Sequence, residues 1–210
     1  MQLEWFSRVI RCAVLLVLFS ALLPSVALAE AGDWMVRARL IYIAPNDDAS
    51  GTLSTLAAEV ESDLTVEVDV TRFITNKFAI EAILATAAQE ITNDPGTGRE
   101  SLGSVYHAPA TVLAQYHFNS KNRFVPYLGA GLNYTIFYSE SGGLADLDLD
   151  SGSFGLAAQA GFDVKIGEDK VFNFDLKHIN IESDVSSGMT DLGTVEVNPL
   201  VVGVGFGVRF

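Results

Sequence analysis

The chain has 210 residues, a formal net charge of −13 at pH 7, and hydrophobic residues at 49% of its positions. Its acidic balance, with no basic cluster to offset it, argues against nucleic acid as a partner. Its only cysteine, Cys12, lies in a segment that we expect to be removed, so we predict neither a disulfide nor a thiolate site in the remainder. The length is that of one domain.

The first 29 residues predict a cleaved secretory signal peptide. Arg8 and Arg11 precede an apolar run over 13–23, and Ala-Leu-Ala at 27–29 supplies the small-x-small cleavage pattern. A transmembrane anchor is the alternative, but the run is shorter than the ~20 apolar residues that a spanning helix needs, and a proline follows it. The leader holds two of the 13 bases and one of the 26 acids, so the remainder would carry a charge of −14.

The remainder, 30–210, is predicted to be a single domain of alternating strands. In its last nine residues, valines and phenylalanines share one strand face while three glycines and Arg209 share the other, because side chains alternate with a period of two. The same alternation recurs along the chain. Eight strands are predicted, over 33–44, 64–71, 78–85, 105–118, 124–138, 154–163, 172–177 and 202–210.

The connections between these strands alternate between long and short. The long loops are predicted at 45–62, 90–104, 139–151 and 182–194, and the short turns near 75–76, 119–122 and 167–169. One face of every strand is apolar or aromatic and the other is small or polar, the reverse of a soluble lipocalin-like barrel. We therefore predict an all-β fold, an eight-stranded antiparallel up-and-down transmembrane β-barrel in outer-membrane lipid. Its short turns and both termini would be periplasmic, and its longer loops extracellular, in a Gram-negative bacterium.

The inward-facing sides of the strands predict two layers inside the barrel, one charged and one apolar. The first is a charged layer near the short turns, which we expect to form an ion-paired plug because an unpaired charge in a narrow lumen is costly. Its predicted members are Arg37, Arg39, Glu81, Asp163, Asp175, Lys177 and Arg209. Structural filling is favoured over substrate binding for this layer. The second is an apolar vestibule on the loop side of the plug, lined by Ile41, Ile43, Ile83, Leu113 and Val197.

Catalytic and metal sites are not predicted. The acidic run at 146–150 lacks the glycine and terminal glutamate of a calcium loop. The three histidines, at 107, 117 and 178, show no triad spacing with serine or acid, so an enzymatic barrel is disfavoured. No cofactor is expected.

Four stretches of the sequence resemble a known family. They are Gly-Asp-Trp-Met-Val-Arg at 32–37, the segments 107–118 and 126–135, and the closing Gly-x-Arg-Phe. The chain is similar to the OmpW family, eight-stranded outer-membrane barrels that include alkane-uptake relatives. The resemblance implies passive uptake of small, largely hydrophobic molecules, which enter from outside and leave sideways through the barrel wall. The alternative is a non-transporting structural barrel or a surface receptor or adhesin, since one fold serves both roles.

Two positions depart from the family pattern. Many relatives carry paired prolines where this chain has Pro109 and Ala110, so Pro109 alone is the candidate lateral exit, because proline cannot donate to a strand ladder. Some relatives carry a tryptophan where Lys177 stands, so a more polar lumen is expected here. The terminal Phe210 is the candidate assembly signal for the outer-membrane assembly machinery.

Overall fold

A computed structural model describes residues 31–46, 48–49, 58–60, 62–93, 100–118, 121–140, 148–149, 152–187, 190–196 and 198–210. The predicted signal peptide and Val197 lie outside this set. The strands are β1 Trp34–Ala44, β2 Asp48–Ala49, β3 Ala58–Val60, β4 Asp63–Phe73, β5 Phe78–Ala85, β6 Ala87–Asn93, β7 Glu100–His117, β8 Phe124–Glu140, β9 Asp148–Leu149, β10 Gly152–Lys165, β11 Lys170–Ile179, β12 Glu182–Ser187, β13 Thr190–Glu196 and β14 Leu200–Arg209. Within the described ranges, no helix is long and apolar enough to cross a membrane.

Nine of these segments form the eight strands of a closed barrel wall. Around the wall they follow the order β1, β4, β5 continued by β6, β7, β8, β10, β11 and β14, and every neighbouring pair is antiparallel. Pairing of β7 with β8 and of β1 with β14 closes the wall, so none of its eight strands has an open edge. The predicted eight-stranded antiparallel barrel is therefore confirmed.

The side chains alternate between a sealed interior and an apolar exterior, as the sequence predicts. In β1, Met35 and Arg37 are fully buried, while Trp34 is 43% exposed. Large apolar side chains point outward from strand after strand, and Phe154 is 67% exposed. A soluble sheet would cover such a band with a core, whereas a membrane barrel presents it to lipid.

The barrel has two unlike ends. At one end, the turns at 74–77 and 166–169 and the segment 121–123 lie with the terminal residues of the described chain; this is the turn end. There Trp34 and Phe210 exchange two backbone hydrogen bonds, each 2.8 Å long. At the other, the loop end, β2, β13, β12 and β9 form a separate four-stranded sheet.

The predicted long loops are partly wrong, because strands extend into them. The third wall strand continues as β6 to Asn93, β7 begins at Glu100 rather than near residue 105, and β12 with β13 forms a hairpin within the predicted loop 182–194. These extensions have polar sequences such as Glu-Ser-Asp-Val-Ser-Ser, which carry no apolar alternation. The β6–β7 pairing continues the β5–β7 register, and β12 pairs with β13 in the register of β11 and β14, so the sequence pattern alone could not reveal these strands.

Phe210 offers a first test of the fold. Its side chain is exposed at the end of the apolar row of β14, while its backbone closes the ladder with Trp34. We expect Phe210→Asp, or deletion of Phe210, to lower the folded yield in cells, because the charge would face lipid. Heat-modifiable gel mobility measures that yield, with Phe210→Tyr as the matched control. A normal folded yield of Phe210→Asp would contradict the assignment of Phe210 as an assembly signal.

Candidate functional site

Glu81 of β5 stands at the centre of a buried polar layer inside the barrel. Its Oε1 accepts hydrogen bonds from Arg37 Nη1 at 3.0 Å and Arg39 Nη2 at 2.8 Å. Its Oε2 accepts from the side-chain amides of Gln115 at 2.7 Å and Gln159 at 2.8 Å. All five side chains are buried, and four charge-assisted hydrogen bonds satisfy this carboxylate completely. We call this layer the plug.

Two arginines connect the plug across the lumen. Arg37 donates to Asp69 at 3.1 Å and, on the far wall, to Asp163 at 3.0 Å. Arg39 donates to Glu67 at 2.6 Å and to Asn173 at 2.7 Å. Register explains the near partners, because Arg37 lies opposite Asp69 and Arg39 lies opposite Glu67 in the β1–β4 ladder. The two guanidinium groups therefore join β4 to strands on the other side of β1, Arg37 to β10 and Arg39 to β11.

Lys177 completes the ion pairs of the plug. Its Nζ donates to Glu67 and to Asp175, both at 2.6 Å. Asp175 also accepts from the Tyr127 hydroxyl at 2.9 Å and from Gln159 at 2.7 Å. A buried ion pair persists only where further hydrogen bonds satisfy the remaining lone pairs, and these neutral partners supply them.

Six of the seven predicted plug residues thus meet in one hydrogen-bonded network, and Arg209 lies on its turn-end side, within electrostatic reach of Asp163 and Arg37. The Arg209 guanidinium lies over the ring of Phe73, 4.8 Å from its centroid, and its Nε has no partner among the described residues. Phe73 belongs to an apolar cluster at the turn end, together with Met35, Ala79 and Val171. Arg209 therefore belongs to the layer between the plug and the turn end.

Sequence reasoning missed two acids of the plug, Glu67 and Asp69. Alternation along 64–71 places both on the polar face of their strand, but joining them to the arginines needs the β1–β4 register. Gln115, Gln159 and Asn173 were missed as well, because neutral amides carry no charge signal. With Glu67 and Asp69, five acids rather than three share the layer.

The glycine face of β14 makes room for the arginines. A Cβ on Gly207 would come within 2.8 Å of Arg37 Cγ, and one on Gly205 would collide with the backbone carbonyl of Ala38. The two glycines lie opposite Arg37 and Arg39 in the β1–β14 ladder. Gly207 therefore leaves space for the Arg37 side chain, Gly203 does so for Arg39, and Gly205 lets the closing strand lie close against β1.

An apolar cavity lies on the loop-end side of the plug. Ile41, Ile43, Ile83, Ile179 and Val201 belong to its walls, and Glu67 and Lys177 of the plug form its floor. The space that the centre of a water molecule can occupy within it is about 40 Å³, and the cavity is partly open to solvent. We call it the vestibule.

Four of the five predicted vestibule residues fall in this region. Ile41, Ile43 and Ile83 line the cavity. Leu113 is fully buried in the same apolar cluster but does not line the empty space. Val197 lies outside the described residues, so its placement stays a prediction.

The wall beside the vestibule is interrupted between its third and fourth strands. β5 pairs with β7 up to Leu84, which lies opposite Ala110. Pairing resumes in β6 at Ala87, which lies opposite His107, in an unchanged register. Two positions on each strand are left out of the ladder, and Pro109 is one of them. We call this interruption the wall gap.

Pro109 explains one missing bond of the wall gap. His117 donates its backbone N–H to the Lys77 carbonyl at 2.7 Å, so odd-numbered residues of β7 direct their backbone toward β5. Pro109 is one of these but has no N–H, so the carbonyl of Ala85 opposite receives no ladder bond from it. The Pro109 side chain lines the vestibule, so the interruption lies at the level of the cavity.

The histidines do not gather into a site. His107 and His117 are ten residues apart on β7, which corresponds to about 33 Å along a strand. His178 has an exposed side chain on β11. Among the described residues, no group of three or more histidine, cysteine or acidic side chains could hold a metal ion.

Removal of Glu81 should destabilise the plug and open it. In Glu81→Ala, both arginines lose a shared carboxylate, and leaving a buried charge without its partner costs about 3–5 kcal/mol. We expect a lower denaturant midpoint of the folded barrel and, in planar bilayers, larger or more frequent conductance steps for small ions. The matched control is Glu168→Ala, which removes an exposed carboxylate from a turn. If stability and conductance both match the parent protein, the layer does not seal the lumen.

The glycine face gives a second test. Gly205→Ala would place its methyl group against the Ala38 carbonyl, and overpacking of this kind costs about 1–3 kcal/mol. We expect Gly205→Ala to unfold at lower denaturant than the parent protein. Gly167→Ala is the matched control, because a Cβ there meets no atom closer than 3.6 Å. Equal midpoints for the two variants would show that β14 and β1 can separate without cost.

Comparisons with known proteins agree with this architecture. The OmpW family model matches residues 30–210. Outer membrane protein W of Vibrio cholerae is 36% identical over 213 residues, covering 94% of this chain and 96% of that protein. The crystal structure of OprG from Pseudomonas aeruginosa matches with a TM-score of 0.73 and 27% identity, over 86% of this chain and 97% of that one. Outer membrane protein AlkL of Ectopseudomonas oleovorans is 24% identical, over 83% of this chain and 80% of that protein. A closed barrel with an apolar exterior, matched by this family over its whole length, leads to one conclusion: the chain belongs to the OmpW family of outer-membrane proteins.

Proposed function

We propose that the protein is an outer-membrane channel for the passive uptake of small, largely hydrophobic molecules. A solute would enter the vestibule from the extracellular side and leave laterally through the wall gap into the membrane. One observation carries this proposal: the apolar vestibule is floored by the plug and lies beside a break in its own wall at Pro109.

The plug supports a lateral rather than an axial route. The side chains of Arg37, Arg39 and Glu81 fill the lumen at one level and are fully buried. An apolar solute crossing that level would have to separate ion pairs while offering no hydrogen bonds in return, which is costly. Leaving through the wall avoids this cost, because the destination is lipid.

The orientation follows from the unlike ends of the barrel. Short turns face the periplasm in bacterial barrels, so the turn end and both termini would be periplasmic and the vestibule would open outward. The N-terminal leader would direct export, and Phe210 would serve the assembly machinery. Similarity to the OmpW family and to AlkL supports hydrophobic uptake, and the proposal includes no enzymatic step.

A surface receptor or adhesin is the second candidate. The four-stranded sheet of β2, β13, β12 and β9 at the loop end favours it, because a folded sheet offers a defined surface to a partner. A receptor would not depend on the wall gap, so a variant that closes the gap distinguishes the two functions.

Pro109→Val is that variant. Valine supplies an N–H opposite Ala85 and should restore a ladder bond, whose net contribution is about 0.5–1.5 kcal/mol. We expect initial uptake of n-octane by whole cells to fall, with the barrel as stable as the parent or slightly more so. Pro126→Val is the matched control, since it also replaces a strand proline, but outside the residues that line the vestibule. Unchanged uptake in folded Pro109→Val would remove the lateral route.

A further inference from the structure

Two threonines lie beside the wall gap, on the side wall of the vestibule. Thr135 of β8 lies directly opposite Pro109, and Thr111 is the next inward-facing residue along β7. Ala85 lies opposite Pro109 on the other neighbouring strand. All four residues line the vestibule. A solute that reaches the gap therefore meets hydrogen-bonding groups at the point where it would leave.

A short hydrogen-bond chain ends at Thr111. The Thr135 hydroxyl donates to Asn133 Oδ1 at 2.8 Å, and Asn133 Nδ2 donates to Thr111 Oγ1, also at 2.8 Å. Thr111 thus accepts one bond, and its own hydroxyl hydrogen goes to no acceptor among the described residues. Since a hydroxyl is both donor and acceptor, Thr111 retains a donor at the cavity wall.

Ala85 supplies the complementary group. Continuing the β5–β7 register by one residue sets its carbonyl opposite Pro109, which has no N–H to donate, so the carbonyl is left as a candidate acceptor at the cavity wall. One donor and one acceptor therefore flank the gap. Among simple functional groups, a hydroxyl matches both at once, because it accepts from Thr111 and donates to Ala85.

We propose that the wall gap selects neutral, hydroxyl-bearing amphiphiles, such as medium-chain primary alcohols, over plain hydrocarbons of the same length. This inference rests on the proposed uptake function and names the solute class for the same route. The alkyl chain lies among the isoleucines of the vestibule, and the hydroxyl bridges Thr111 and Ala85. A hydrocarbon leaves both groups unpaired as it displaces water, which is the basis of polar discrimination in buried sites.

Charge in the vestibule floor separates alcohols from carboxylates. Glu67 lines the cavity, and the Lys177 ammonium beside it is engaged by Glu67 and Asp175. An incoming carboxylate would lose its hydration beside Arg39 and Lys177, two bases that already pair with Glu67. A neutral head group avoids that desolvation cost, so an alcohol fits this site better than the corresponding fatty acid anion.

The test compares Thr111→Val with Thr111→Ser. Valine has nearly the shape of threonine without its hydroxyl, whereas serine keeps the hydroxyl. Initial uptake of labelled 1-octanol, n-octane and octanoate is measured in cells expressing each protein, after subtraction of cells with empty vector. In Thr111→Val, we expect 1-octanol uptake to fall about 2- to 10-fold relative to n-octane uptake, the range for one lost hydrogen bond. Thr111→Ser should retain the preference for 1-octanol.

Two outcomes would overturn the inference while leaving uptake itself intact. They are an undiminished ratio of 1-octanol to n-octane uptake in Thr111→Val, or a parent protein that takes up octanoate faster than 1-octanol. Heat-modifiable mobility checks folding, and Thr111→Ala repeats the test if the valine variant misfolds. If the parent protein takes up none of the three probes above empty vector, both the inference and the proposed function fail.

Discussion

The interior of this barrel depends on one carboxylate shared by two arginines. Glu81 holds Arg37 and Arg39 by one oxygen and two glutamines by the other, and these residues come from four different strands. Separating any two of these strands would break an ion pair or hydrogen bond and leave a buried charge uncompensated, which is costly. The plug therefore holds the strands that contribute to it together. The glycines of β14 contribute to this arrangement, because the absence of their side chains leaves space for the arginine side chains beside them.

The plug also decides what the rest of the lumen can do. It closes the barrel toward the turn end, so the apolar vestibule becomes a chamber with a polar floor instead of part of a pore. The apolar cluster of isoleucines above the floor would be an ordinary core in a soluble protein. Here it surrounds empty space, and an apolar or amphiphilic solute is the kind of occupant that such walls favour.

The wall gap shows how one residue can change a barrel locally without changing its register. Pairing resumes beyond Pro109 in the same register as before it, so the strands continue while one acceptor carbonyl lacks its donor. In the proposed route, this arrangement would couple exit and selectivity, because Ala85 and Thr111 both line the vestibule along this part of the wall. A hydrocarbon-only route would need no such groups, and their position beside the gap is what motivates an alcohol as solute.

The sequence by itself determined the architecture. Period-two alternation from Trp34 to Phe210 specified eight strands, their outward faces and the inward position of Arg37, Arg39 and Glu81, because which face a side chain occupies is a local property of a strand. Only the tertiary structure decided which charges meet. Asp69 joins Arg37 through the register of adjacent strands, and Asp163 reaches it from across the barrel. Likewise, Pro109 could be singled out from sequence, but its carbonyl partner Ala85 and its neighbour Thr135 follow from pairing on both sides. Partners of this kind depend on register and closure, which no local pattern encodes.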